Sequence, residues 1–242
     1  MQLKGKVAIV TGASRGLGKE IAASFAGKGA TVILAARDKA KLKEAAELVE
    51  QKGGKAEIVK LELTDEQSIK NLVKAVTEKF GKLDILVNCA GVTHSESLEQ
   101  TTTADWEKCM FINARGPFIL CREALPLLRK SEQGYIINIS SVVGVKGYPL
   151  QSAYTASKHA LRGMTISLAE ELQGSNVRVH VLCPGGIDTE MVSRVRPDIN
   201  KEELIATQEI AELVLYLVTH TGNAVIDELH IRRATAKPWY IS

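Results

Sequence analysis

Aromatic residues make up only 5% of the chain, there are four cysteines, and the formal net charge is +3. Each scarcity excludes something. With 31 Lys and Arg dispersed among 28 Asp and Glu, no basic footprint for nucleic acid is present. The Lys39, Lys41 and Lys43 cluster is expected on a solvated helix face. No stretch reaches the roughly 18 uninterrupted apolar residues of a membrane span. The opening MQLKGKVAIVTGASRG holds one short apolar run that passes straight into glycines, which does not resemble a secretory leader. A soluble, cytoplasmic protein with no nucleic-acid or membrane partner is therefore expected. Cys89, Cys109, Cys121 and Cys183 match neither a zinc site nor a CxxC pair, and the five histidines are scattered. The thiols are expected to be buried in a reducing compartment, with no metal bound.

What is present is a strict alternation of short β-branched runs with long amphipathic stretches. Strands are expected over 6–11, 31–35, 56–61, 84–88, 134–140, 177–183 and, more weakly, 228–232. Helices are expected over 18–28, 38–51, 65–80, 103–129, 152–172 and 207–220. Asp38 and Asp65 stand where N-caps belong, and Gly53 and Gly81 stand just past helix ends. Several strands are apolar on both faces, as in a parallel sheet covered by helices on each side. The pattern predicts one α/β domain over 1–242, a doubly wound, seven-stranded parallel sheet with right-handed crossovers. Tyr135 and Tyr216 read as core, and the helices over 103–129 and 152–172 would lie side by side.

Directly after the first run comes Thr11-Gly12-Ala13-Ser14-Arg15-Gly16-Leu17-Gly18. Glycines there let a pyrophosphate approach a helix N-terminus, whose unpaired N–H groups and dipole favour an anion. A glycine-rich string alone is a weak signal, but a strand before it and a helix after it supply the context the motif requires. At the end of the second strand an acid would suit the ribose hydroxyls of NAD. Here Ala36-Arg37 stands there, and Arg15 lies inside the turn. Two guanidiniums suit a 2′-phosphate, so NADP(H) is expected over NAD(H). Asp38 could reach the ribose instead, but its position fits helix capping better.

Tyr154-Thr155-Ala156-Ser157-Lys158 opens a long helical pattern. The i, i+4 spacing puts Tyr154 and Lys158 on one helix face. A phenol, with an ordinary pKa near 10, needs a neighbouring ammonium to act as an acid or base at neutral pH. Together these pieces resemble the classical short-chain dehydrogenase/reductase family over nearly the whole length. The matching motifs stand in order: TGASRGLG at 11–18, NCAG at 88–91, Asn113 in FINARG, Ser141 in NISS, YTASK at 154–158 and CPGGIDT at 183–189.

The resemblance implies a single Rossmann-type domain and an NADPH-dependent carbonyl reductase. Tyr154 would be the proton donor, Ser141 would hydrogen-bond the substrate oxygen, and Lys158 would hold the nicotinamide ribose and lower the phenol pKa. Asn113 would kink its helix and anchor a water. Gly12, Ser14, Arg15, Gly16, Leu17, Gly18 and Arg37 would carry the phosphates. Glu62 and Leu63, standing where the family usually has Asp-Val, would contact adenine. Asn88, Ala90 and Gly91 would line the cofactor, and Pro184, Gly185, Ile187 and Thr189 would meet the nicotinamide. A homodimer or homotetramer is implied.

Substrate contacts are expected on the loops past the strand ends: His94, Ser141, Val143, Tyr148 and Met191, with a lid over about 190–206. In that lid Arg194 or Arg196 could bind an acidic substrate group, or both could be solvated charge. His94 could face the substrate or be a satisfied structural histidine. Where relatives acting on 3-oxoacyl chains commonly end in TGQ…DGG, this chain has Thr221 to Arg233, which resembles a branch of general carbonyl, hydroxy-acid and sugar-type reductases and counts against fatty-acid synthesis. Reduction of a 3-oxoacyl thioester and non-catalytic NADP(H) sensing remain the alternatives. The tail over 233–242, with Trp239 and Tyr240, could cap a partner subunit or fray.

Overall fold

The computed structural model describes residues 2–196 and 198–238. Seven strands form one sheet: β1 (Val7–Thr11), β2 (Thr31–Ala36), β3 (Lys55–Lys60), β4 (Ile85–Asn88), β5 (Gly134–Ile139), β6 (Val177–Pro184) and β7 (Glu228–Ile231). Every pairing is parallel and the order is β3-β2-β1-β4-β5-β6-β7, so the chain reverses its direction of travel between β1 and β4. The C-terminal ends of β1 and β4 therefore flank a crevice, the usual ligand position of such a sheet.

Side-chain alternation explains why the strands are apolar throughout. Ala8, Val10, Val32 and Leu34 join the core under α1 (Gly16–Gly27), α2 (Lys39–Gln51) and α8 (Thr207–Thr219). Val7, Ile9, Ile33 and Ala35 join the core of the opposite face, under α3 (Glu66–Phe80), α5 (Gly116–Leu128) and α6 (Ser152–Glu171). Successive residues point to opposite faces, and both faces are covered. Edge strand β3 departs from this and exposes Lys55, Ile58 and Lys60; charge on an outer strand discourages further pairing.

The cap signals act as expected. The Asp38 carboxylate accepts from the N–H groups of Ala40 and Lys41 at 3.0 and 3.1 Å, and Asp65 accepts from Gln67 at 2.9 Å. Gly81, at φ +69°, ends α3 in the left-handed region that a side chain would resist. Two expectations are corrected. The helix over 103–129 is three pieces: α4 (Thr103–Met110), a π turn over Phe111–Arg115, and α5. Tyr216 is half-exposed and stacks on His220 instead of entering the core, because its face of α8 points away from the sheet. Tyr135 is buried as expected. Trp239 and Tyr240 lie outside the described residues. Among the described residues, no helix is long and apolar enough to cross a membrane.

At the N-terminal end of the sheet, just before β4, the Asp84 carboxylate is 1% exposed. It accepts from the Val7 N–H at 2.9 Å and from the Ser131 hydroxyl, and Lys6 and Lys82 each approach to 3.2 Å. Burial acts to raise its pKa, but these hydrogen bonds outweigh it and hold the carboxyl below its ordinary value. The anion thus contributes stability that is present above the ordinary carboxylate range and lost as pH falls through the lowered pKa. Asp84→Asn should cost about 1–3 kcal/mol in denaturant unfolding at neutral pH, since it unpairs several buried donors. An unchanged unfolding midpoint would contradict this role.

Candidate active site

The glycine turn joins β1 to α1 and is packed too closely for side chains. Gly12 has φ +70°, and a Cβ there would stand 2.9 Å from the Ala90 Cα; one on Gly18 would stand 2.5 Å from the Gly12 carbonyl oxygen. The Thr11 hydroxyl accepts from the N–H groups of Cys89 and Ala90 at 3.0 and 3.1 Å and donates to the Val87 carbonyl. Its hydroxyl thus pins the end of β1 to the end of β4. The first N–H groups of α1 face the crevice, where an anion would be welcome.

A cavity of about 560 Å³ runs from this turn across the C-terminal edge of the sheet. Its end at the glycine turn is lined by Gly12, Ser14, Arg15, Gly16, Leu17, Gly18, Arg37, Glu62 and Leu63. Lys41 also stands on this wall; its position on the solvated face of α2 hid it from the sequence reading, although Asp38 capping turns that helix start toward the crevice. Arg15 is ion-paired with Glu190 of α7 (Glu190–Val195), a partner from the far wall that no local pattern announces.

At the other end Ser141, Tyr154 and Lys158 converge, with Asn113 buried behind them. Ser141 follows β5 and caps the single turn Val142–Gly144, accepting from the Val143 N–H at 3.3 Å. Tyr154 and Lys158 rise one turn apart on α6, with the Lys158 Nζ 6.0 Å from the centre of the Tyr154 ring. Burial pushes the Tyr154 phenol up to about 12, opposed by its hydrogen bond with Ser141. Burial likewise pulls Lys158 down to about 8, opposed by the thiols of Cys89, Cys183 and Cys109. Lys158 Nζ donates to the Ile139 carbonyl at 2.8 Å.

Asn113 sits inside the π turn, whose extra residue redirects its side chain into the fold. Its Oδ1 accepts from the Val92 N–H, and its Nδ2 donates to the Val92 carbonyl and the Ser157 hydroxyl, at 2.8, 2.8 and 2.9 Å. It therefore clamps the chain after β4 to α6. A Cβ on Gly91 would stand 3.2 Å from Asn113 Oδ1 and 3.6 Å from Lys158 Nζ, so glycine leaves open space between these polar heads.

Ala90, Gly91, Pro184, Gly185, Ile187, Thr189, Val143, Tyr148 and Met191 all line the cavity. Two expected contacts do not. Asn88 is buried within the sheet layer, where its Nδ2 donates to Asn138 at 2.8 Å; the parallel register sets these two residues side by side. His94 is turned away from the cavity, bonded to Thr101 at 3.3 Å and 3.8 Å from Asp105. Of the lid arginines, Arg194 stands outside the cavity beside Glu190, while Arg196 is on the wall and bound to Asp198 at 2.8 and 2.7 Å. The start of the tail lies against the site: Arg232, Arg233 and Ala236 line the cavity. Cys183, Glu228 and His230 bring ligand-type atoms within 4.8 Å of one another across β6 and β7. The Glu228 carboxylate there is held by Arg162 at 2.6 and 2.8 Å, a bidentate ion pair.

The family model for short chain dehydrogenase matches residues 6–200, and the chain belongs to that family. It is 38% identical to an uncharacterized oxidoreductase of Thermotoga maritima over 85% of this chain and 81% of the relative. It is 35% identical to the 3-oxoacyl-(acyl-carrier-protein) reductase FabG of the same organism, over 95% of this chain and 96% of the relative. Among solved structures, a metagenomic short-chain oxidoreductase in complex with NADP superposes with a TM-score of 0.85 at 34% identity. That match covers 97% of this chain and all of the other.

Removing the Asn113 clamp leaves two backbone groups of Val92 and the Ser157 hydroxyl without this partner. Asn113→Ala should therefore cost about 2–4 kcal/mol in urea unfolding. A cost below about 0.5 kcal/mol, the range of surface substitutions, would show that the clamp is not structural.

Proposed function

We propose that this oxidoreductase reduces a carbonyl compound to an alcohol with NADPH, Tyr154 supplying the proton. The observation that carries the reading is the meeting of Ser141, Tyr154 and Lys158 in the same cavity as the glycine turn.

The wall suits the dinucleotide. Gly12, Gly16 and Gly18 keep the turn clear of side chains, and Ser14 and Leu17 complete it beside the α1 N-terminus for the pyrophosphate. Arg37 and Lys41 stand by the end of β2, Arg15 of the glycine turn lines the same cavity beside Glu190, and the Asp38 carboxylate is occupied by backbone N–H groups. Three cations favour a 2′-phosphate over a bare hydroxyl. Glu62 and Leu63 would border adenine; Ala90, Gly91, Pro184, Gly185, Ile187 and Thr189 would border the ribose and nicotinamide. Asn88 supports this wall from within the sheet. The similar oxidoreductase bound to NADP is consistent with the assignment.

Bound NADPH supplies the hydride. The chain positions the carbonyl and manages one proton. A phenol pushed up to about 12 stays protonated across the neutral range, so Tyr154 is prepared as a proton donor. Ser141, already bonded to the phenol, would hold the same carbonyl oxygen and fix its approach. The Lys158 ammonium stabilises the phenolate left behind, and Asn113 keeps α6 and the Gly91–Val92 backbone in register. Val143, Tyr148 and Met191 would enclose the substrate body. Similarity to a 3-oxoacyl-carrier reductase supports a second reading, a 3-oxoacyl thioester substrate. The half-exposed Trp106, Phe118 and Ile166 of α4, α5 and α6 support assembly into a homo-oligomer.

NADPH oxidation measured against aldehydes, ketones, oxo acids and 3-oxoacyl thioesters tests the reading. Turnover should fall by about 10²–10⁴-fold in Tyr154→Phe, the usual worth of a general acid. Tight NADPH binding without turnover of any carbonyl would contradict it. Arg37→Ala and Lys41→Ala should each erode the preference for NADPH over NADH by about tenfold, the worth of a charge-assisted contact; an unchanged preference would refute the phosphate site. Because Lys158 is pulled down to about 8, its ammonium is lost above that pH. The kcat/KM for NADPH should accordingly decline above about pH 8, and a flat profile to pH 10 would contradict the role given to Lys158.

A further inference from the structure

The Gly185 N–H donates to the Ile231 carbonyl at 2.7 Å, which fastens the end of β7 to the turn after β6. The chain that follows is thereby delivered to the wall opposite the glycine turn. Arg232 Nη1 donates to the carbonyls of Arg233, Ala234 and Ala236 at 3.1, 3.0 and 2.9 Å, curling residues 232–236 over the cavity. Arg233 lies along Gly186: a Cβ built there would stand 3.6 Å from the Arg233 Cδ. Its Nη1 donates to a Glu203 oxygen at 2.9 Å, and the Thr235 hydroxyl donates to the same oxygen at 2.8 Å. From the lid side, Arg196 stands on the same cavity wall.

The acids on the cavity wall belong elsewhere. Asp38 caps α2, Glu62 is bonded to Thr64, and Glu190 pairs with Arg15 of the glycine turn. The wall around Gly186 carries three guanidiniums: Arg196 is paired with Asp198, Arg232 is bonded to backbone carbonyls, and Arg233 is bound to Glu203 through one nitrogen. Arg233 has only 17% of its side chain exposed, and Glu203 engages one of its terminal nitrogens. A planar guanidinium presents five N–H donors, so donors remain for a second anion. A neutral ketone makes no use of such a wall; a carboxylate matches it in charge and in shape.

We propose that the substrate is an oxo acid, whose carboxylate is bound by Arg233 while its carbonyl oxygen meets Ser141 and Tyr154. This rests on the reductase reading and names its substrate class.

The test compares each acid with its own methyl ester, acetoacetate and levulinate with their esters, as kcat/KM in NADPH oxidation by the full chain. The acid is expected to be preferred. Arg233→Ala should cut the acid-to-ester ratio about tenfold or more, through KM rather than kcat, and Arg233→Lys should restore part of it. Glu203→Gln frees the guanidinium and should raise the ratio, so the result does not hang on one variant. Esters turned over as well as acids, or a ratio unmoved by Arg233→Ala and Glu203→Gln, would overturn the proposal and leave the reductase reading standing. Absence of turnover with every acid and ester would overturn both.

Discussion

The Lys158 amine, 4% exposed at the C-terminal edge of the sheet, donates to the Ile139 carbonyl at 2.8 Å, and the geometry of the cavity follows from that bond. Placing a lysine there costs solvation, which is why burial pulls it down to about 8. The bond ties α6 to the last residue of β5. Next to it the Ser140 hydroxyl donates to the Lys158 carbonyl at 3.0 Å, and a Cβ on Gly144 would stand 2.4 Å from the Ser140 oxygen. The turn that presents Ser141 is thus pressed against the helix that presents Tyr154. Serine and amine are held by backbone contacts, and the phenol is bonded to the serine.

Two buried polar chains extend this arrangement through the layers. Asn113 links the chain after β4 to Ser157, and Ser157 donates to the Tyr154 carbonyl at 2.8 Å. Asn88 reaches Asn138, and Asn138 donates to Thr165 on α6 at 2.9 Å. Each donor in these chains has a directional partner, so α6 has one orientation relative to β4 and β5. The cavity is left with opposite tasks at its two ends. Under the proposed function, cations at the end of β2 would face phosphate, whereas the phenol and amine would face the reacting carbonyl.

What the sequence made legible was local. The glycine turn, the Asp38 and Asp65 caps, the alternation of the strands and the spacing of Tyr154 and Lys158 each depend on neighbours a few residues away. What it hid depends on distant neighbours. Asn88 pairs with Asn138 because β4 and β5 share a register, so its motif pointed to the cofactor while its side chain turned into the sheet. His94 is satisfied by Thr101 and Asp105 only once the loop after β4 folds back. The π turn breaks a helix whose apolar pattern runs on without interruption, so only the family resemblance pointed to a kink at Asn113. Arg233 enters the cavity because β7 pairs with β6, a tertiary fact that no spacing along the tail encodes.

The central claim is that hydride passes directly to a carbonyl carbon while Tyr154 donates the proton. NADPH carrying deuterium at the transferable position of its nicotinamide, reacted with an accepted substrate in ordinary water, tests it. Mass spectrometry of the alcohol should find one deuterium on the carbinol carbon, with the hydroxyl proton drawn from solvent. An alcohol without that deuterium would contradict the account.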